Sequence, residues 1–280
     1  MIASWFHFLL LCVVFLSNTC IPSANAELVL RVQQDFTLDR PTIQSYSAII
    51  TFETAESDGS RSYADDLNDG QLVNLARVAY SEMIRLAKTR GVPDNKIPSA
   101  MIALRVDHRV YFASSLTNSD QFFYSGSSIT YRNPRPIEDA LITQVLRKCG
   151  TGARIHRLGG TCAECNVLDL FFSYHKNEAE AESILKNSEN AKGTVWFRPN
   201  PGTILESEFS ILPCLNREEG WGCETLFSPN DEGGRYPNVK WVPRQKPPDR
   251  TGEDGLRFTD ELNTRTRQAR IGRPNPPEEL

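Results

Sequence analysis

The first 26 residues, MIASWFHFLLLCVVFLSNTCIPSANA, hold no Asp, Glu, Lys or Arg. This uncharged stretch carries an apolar run from Phe6 to Leu16 and ends in Ala24-Asn25-Ala26, the pattern of a secretory signal peptide (residues 1–26) with an A-x-A cleavage site. No later segment has the roughly 18 unbroken apolar residues of a spanning helix, so the expectation is a secreted, extracellular protein with no membrane anchor. Basic charge is not in excess either: 31 Lys and Arg stand against 35 Asp and Glu, a formal net charge of −4. That balance argues against attraction to bulk nucleic acid, which needs a basic face. No internal repeat is present.

An even set of cysteines is also lacking. Cys12 and Cys20 leave with the signal, and Cys149, Cys162, Cys165, Cys214 and Cys223 remain. Five cannot all pair. Three metal ligands plus two others satisfy the count, and so do two disulfides and a spare thiol.

The rest of the chain divides by pattern. Residues 27–67 contain the strand-like runs ELVLRV and YSAIITFET and read as an N-terminal extension. Leu72, Leu75, Ala76, Ala79, Met83, Leu86 and Ala87 then recur at three- and four-residue spacing, the apolar face of a helix that Gly91 and Pro93 end. SAMIALRVDHRVYFASS reads as a β-hairpin turning at Asp107-His108, without the glycine such turns favour. A helix from Ile137 to about Lys148 follows, then the glycine-rich GTGARIHRLGG and a helix beginning after Gly160. GTVWFRP and VKWVP read as strands, and the apolar run SEFSILPCL ends at Pro213-Cys214. Residues 246–280 are rich in Pro, Gly and charge and read as a disordered tail. The order predicts an α/β sandwich in one domain, residues 68–245.

The stretch GGTCAECNVLDLFFSYH (159–175) carries the chemistry. Thr161 is a good N-cap, which sets Cys162 in the first turn, where helix dipole and free amides favour a thiolate. Val167, Leu168, Phe171 and Phe172 would bury the helix and leave Glu164 at its open end, placed to move protons beside a metal-held water. A catalytic zinc takes about three protein ligands. Cys162 supplies one, and Cys214 and Cys223 supply two more across CLNREEGWGC, whose Gly220 and Gly222 let the backbone fold back.

Cys162-Ala163-Glu164 followed by Pro213-Cys214 and Cys223 resembles the cytidine deaminase superfamily, closest in style to its secreted toxin and effector members. That family has a His or Cys, one residue, then Glu at the start of a core helix, and later Pro-Cys-x-x-Cys. The order of helix, hairpin, helix, strand, cysteine pair and strand is similar too, over about 175 residues. The resemblance implies a three-layer deaminase-like sandwich with a mixed central sheet. It implies zinc on Cys162, Cys214 and Cys223, a zinc-held hydroxide as nucleophile, and Glu164 as general acid/base in removing an exocyclic amine. The implied substrate is a base in a nucleotide or nucleic acid, with delivery into another cell as one route. One departure stands out: eight residues separate Cys214 from Cys223 where the family has two, so either the loop closes back or Cys223 is not a ligand.

Competing readings remain open at this stage. Cys214 and Cys223 would close a short loop as a disulfide, giving a disulfide-stabilised secreted effector that only binds a partner. Cys162 and Cys165 form a C-x-x-C that a thiol oxidoreductase would use, while Cys165 also fits as a small buried hydrophobe or a partner for Cys149. His156 is a candidate substrate gate or phosphate contact, with Arg154 and Arg157, or simply part of a solvated loop. Asn118, after the hairpin, is where nucleoside deaminases keep a ribose-binding Asn. Trp196 and Trp241 read as core, and Trp221 as a candidate to face the pocket and stack a base.

Overall fold

The computed structural model describes residues 28–35, 44–52, 64–117, 123, 140–149, 156, 158–175, 177–198, 209–211, 213–214, 222–228, 235–242 and 258–260. The signal-like segment, Asn118 and Trp221 lie outside them. Among the described residues no helix is long and apolar enough to cross a membrane.

Short β1 (Gln33–Gln34) precedes β2 (Tyr46–Phe52) and the long helix α1 (Asp69–Thr89). Helix α1 starts on a capping box in which the Asn68 side chain accepts from the Gln71 amide and the Gln71 side chain accepts from the Asn68 amide. All of its predicted apolar positions except Leu86 are fully buried, and Leu86 packs at the margin of the same core. The hairpin follows as β3 (Ala100–Val106) and β4 (Arg109–Ser114), with Val106 opposite Arg109. Asp107 takes the left-handed backbone at φ 51, so it fills the role that glycine usually has in so tight a turn.

Helices α2 (Leu141–Cys149), α3 (Ala163–Tyr174) and α4 (Glu178–Asn187) lead to β5 (Lys192–Phe197). The chain continues through β6 (Phe209–Ile211), the short α5 (Glu224–Phe227), β7 (Lys240–Trp241) and β8 (Phe258–Asp260). The sheet runs β1-β2-β4-β3-β5-β6, with β8 on the same edge of β2 as β1, and β7 on the same edge of β5 as β6. Strand β7 is parallel to β5 and every other pair is antiparallel, so the sheet is mixed.

Alternation along β3 explains why both faces are covered. Met101 and Ala103 point into a core built with α1, while Ile102 and Leu104 point into a second core built with α2 to α5. Every residue of β3 is buried, as befits the centre of a sheet with helices on each side. The protein is thus α/β, as the sequence predicts.

Two segments enter the sheet from outside the residue 68–245 region. The alternating run in β2, assigned from sequence to the extension, pairs with β4 from Ser47 opposite Ala113 to Thr51 opposite Arg109 and fills the α1 core. Residues 258–260, within the segment expected to be disordered, pair with the end of β2. Residues 28–32 are tied down as well, since the amides of Leu30 and Val32 both donate to the Glu82 carboxylate on α1.

Candidate metal centre

One backbone and one side-chain tie set the start of α3 against the end of the hairpin. The Leu116 amide donates to the Thr161 carbonyl at 2.9 Å, and the Asn166 side chain donates to the carbonyls of Ser114 (3.0 Å) and Cys162 (3.1 Å). Helix α3 is buried almost all round, as an apolar helix clamped between sheet and neighbouring helices must be.

The helix begins one residue later than the sequence suggests. Cys162, not Thr161, is the N-cap, with extended backbone at φ −63 and ψ 153, and its sulfur makes no capping bond. The Thr161 hydroxyl instead donates to the Leu158 carbonyl at 2.8 Å. Cys162 Sγ therefore turns inward, 3.5 Å from Cys214 Sγ and 3.8 Å from His156 Nε2.

Cys214 follows β6 and Cys223 is the residue before α5. The two cysteines on either side of the eight-residue interval meet: the Glu224 amide donates to the Cys214 carbonyl at 3.1 Å, and the Cys223 amide donates to Cys214 Sγ at 3.0 Å. His156 Nε2 lies 3.2 Å from Cys223 Sγ and 3.6 Å from Cys214 Sγ. One donor atom each from His156, Cys162, Cys214 and Cys223 thus falls within 4.8 Å of the others, and the group could hold a metal ion.

None of the five cysteines described is in a disulfide, so the Cys214–Cys223 bridge is not formed. Cys165 Sγ lies 3.7 Å from Cys223 Sγ, fully buried on the core side of the cluster. Hydrogen bonding to Cys165, with burial and the Glu164 charge behind it, pushes the Cys162 thiol up to about 12 against the pull of Cys214 and Cys223. Burial likewise raises Cys223, while hydrogen bonds from Cys162 and Cys223 hold Cys165 down to about 7. A cation reverses this for its own ligands, since it binds thiolates and displaces their protons.

Glu164 is 4% exposed, and its Oε1 accepts the Cys214 amide at 3.0 Å. Burial first, and the negative charge of Cys214 second, push its carboxyl up to about 7, against its backbone hydrogen bonds and His156. In the metal-free chain burial thus favours the protonated carboxyl well above the ordinary carboxylate range.

The structure therefore brings Cys162, Glu164, Cys214 and Cys223 close together. His156 was not foreseen as part of that cluster: it is fully buried and aimed at the sulfurs, not set in a solvated loop. The usable signal was its position six residues before Cys162 with Gly159 and Gly160 between, enough to turn the chain back. Trp196 is buried in the α1 core, and Trp241 packs edge-on to Phe227 at 4.9 Å beside the opposite core. No protein-family model, curated protein or solved structure matches this chain.

Proposed function

We propose that this protein is a secreted, zinc-dependent deaminase that removes the exocyclic amine of a base in a nucleotide or nucleic acid. One observation carries the reading: a buried carboxylate, Glu164, is hydrogen-bonded to the backbone of Cys214 beside a sulfur and imidazole cluster that includes Cys162, two residues before it. The likeness of Cys-x-Glu and Pro-Cys to the deaminase pattern supports the reaction class, and the uncharged N-terminal 26 residues support secretion. The mixed sheet, with a hairpin, the α3 helix, β5 and the parallel β7 in that order, is compatible with the family's sandwich.

The donor set fits zinc. Metal–sulfur bonds of about 2.3 Å and metal–nitrogen bonds of about 2.0 Å in a tetrahedron put sulfurs about 3.8 Å apart and nitrogen about 3.5 Å from sulfur. The 3.5 Å between Cys162 and Cys214 sits close to the sulfur–sulfur value, and the 3.2 to 3.8 Å from His156 to the three sulfurs places its Nε2 against all three. Cysteine thiolates are also among the ligands that zinc favours.

Cys162, Cys214 and Cys223 would hold the ion. Bound zinc supplies a Lewis acid that lowers the pKa of water towards neutrality. Glu164 takes up the proton that water gives up and delivers it to the departing amine, so that ammonia leaves and oxygen takes its place on the base. Its burial and its bond to the Cys214 amide hold the Glu164 carboxyl in place for that transfer.

A second reading is favoured by the fourth donor. With His156 as ligand the site would be closed, and closed His-Cys sites are structural. The protein would then be a zinc-stabilised effector that binds a partner without chemistry. Ammonia release from nucleosides, nucleotides and single-stranded DNA or RNA, measured for the wild type and for Glu164→Ala, separates the two. Release abolished by the substitution supports the enzyme; no release from any of these substrates supports the binder.

A further inference from the structure

We infer that His156 stands beside the metal as an N–H donor to the cysteine sulfurs and not as a fourth ligand. The reason lies on the far side of its ring. Nδ1 receives the backbone N–H groups of Leu158 and of Gly160, each at 3.2 Å. A ring nitrogen that accepts amide hydrogens presents its lone pair and carries no proton, so the proton of a neutral imidazole is on Nε2. Nε2 is the atom that faces Cys223, Cys214 and Cys162. A protonated ring nitrogen has no lone pair in the plane for a metal. Ligating histidines show the opposite arrangement, with the second ring nitrogen donating to a carbonyl, carboxylate or water.

The cradle that fixes this tautomer is built into the chain. Between His156 and Thr161 the backbone turns on two bonds, Gly159 N–H to the His156 carbonyl at 2.7 Å and Thr161 N–H to the Leu158 carbonyl at 3.0 Å. Gly159 (φ 58) and Gly160 (φ 77) both take the left-handed conformation, which lets amides of one turn converge on a single acceptor. A Cβ on Gly160 would come within 3.0 Å of Phe123 and 3.1 Å of Leu146, so core packing holds the turn in place.

This assignment rests on the reading of Cys162, Cys214 and Cys223 as the zinc set, and it decides between the open and closed forms of that site. Three thiolates on a divalent ion leave a net negative charge, and an N–H donor at the sulfurs draws part of that charge off the metal. His156 is in this sense a positioning residue. The protein ligands then number three, the count of a catalytic zinc and not of a structural one.

X-ray absorption at the zinc edge of the full chain, with no substrate present, tests the assignment directly. The expected result is a three-sulfur shell without the outer-shell scattering pattern of imidazole, and a long-range 1H–15N spectrum that places the His156 proton on Nε2. His156→Gln should still take up one metal per chain and keep the sulfur-to-cobalt bands of the Co2+ form, with affinity weaker by about 10- to 100-fold. An imidazole pattern in the wild type overturns the assignment, as does a wild-type chain that binds no zinc. The wild-type spectra do not depend on how the variant folds. Because no readout needs turnover, a three-sulfur site that releases no ammonia would sink the deaminase and leave His156 assigned as here. Ammonia release from a site with an imidazole ligand would do the reverse.

Discussion

The amide of Cys214 donates to Oε1 of Glu164 at 3.0 Å, a bond between residues 50 positions apart in the chain. It ties the carboxylate at the start of α3 to the backbone of a metal-ligand candidate after β6, so the two cannot move independently. A group that shuttles protons at a metal needs such fixing, since catalysis by a positioned acid or base depends on reach before pKa.

Glu164→Gln keeps the oxygen that accepts this amide but cannot carry a proton. Ammonia release should fall by about 100- to 10,000-fold while zinc content and the far-ultraviolet dichroism stay as in the wild type. Steady-state kinetics with metal analysis on the same sample checks both halves. A variant of undiminished rate would remove Glu164 from the mechanism.

Stability of the metal-free chain should depend on pH through the same residue. Its carboxyl sits at about 7 in the folded protein, above its ordinary 4.5, so between those values the native state holds the proton more tightly than the unfolded chain. Stability is therefore greatest below 4.5, as far as this group is concerned, and is lost as pH rises to 7. Metal-free Glu164→Gln should exceed the wild type by on the order of 3 kcal/mol at pH 8 and match it near pH 4. Denaturation midpoints at the two pH values read this out, and an equal gap at both would refute the burial argument.

Gly160→Ala should cost about 1–3 kcal/mol, because φ 77 strains any side chain and the new methyl meets Phe123 and Leu146. Thermal unfolding measures the loss. Since the Gly160 amide also serves His156, the same variant should bind zinc more weakly, whereas Gly91→Ala, with φ 71 but open space around it, should cost only the backbone strain.

Gly193→Ala tests the docking of β7. The Trp241 ring lies where a Cβ would stand, with Cζ3 at 2.9 Å, and Gly193 pairs with Trp241 in the parallel ladder. The extra methyl should destabilise the fold by about 1–3 kcal/mol through overpacking, visible as a lower midpoint in urea. An unchanged midpoint would mean that Trp241 is free to swing away.

Local signals were readable and distant ones were not. The spacing of Leu72 to Ala87 gave α1 because periodicity is a property of consecutive residues, and Ala100 to Ser114 gave the hairpin for the same reason. Cys162 and Glu164 were recognisable because the deaminase pattern they resemble sets a Cys and a Glu two apart at one helix start. The place of β2 was not readable: its alternation announces a strand, but its partner β4 lies some 60 residues on, and nothing local names it. His156 was missed for a related reason. A histidine in a glycine-rich run looks solvated, and what buries it is the left-handed turn at Gly159 and Gly160 held by the distant Phe123 and Leu146.

The most direct test is to measure zinc in the purified full chain while counting free thiols under denaturation without reductant. The prediction is about one zinc per chain, lost on Cys162→Ser or Cys214→Ser, with Cys162, Cys165, Cys214 and Cys223 all recovered as thiols. Absence of zinc together with a Cys214–Cys223 disulfide would contradict the account, and the protein would then act as a binding partner without metal chemistry.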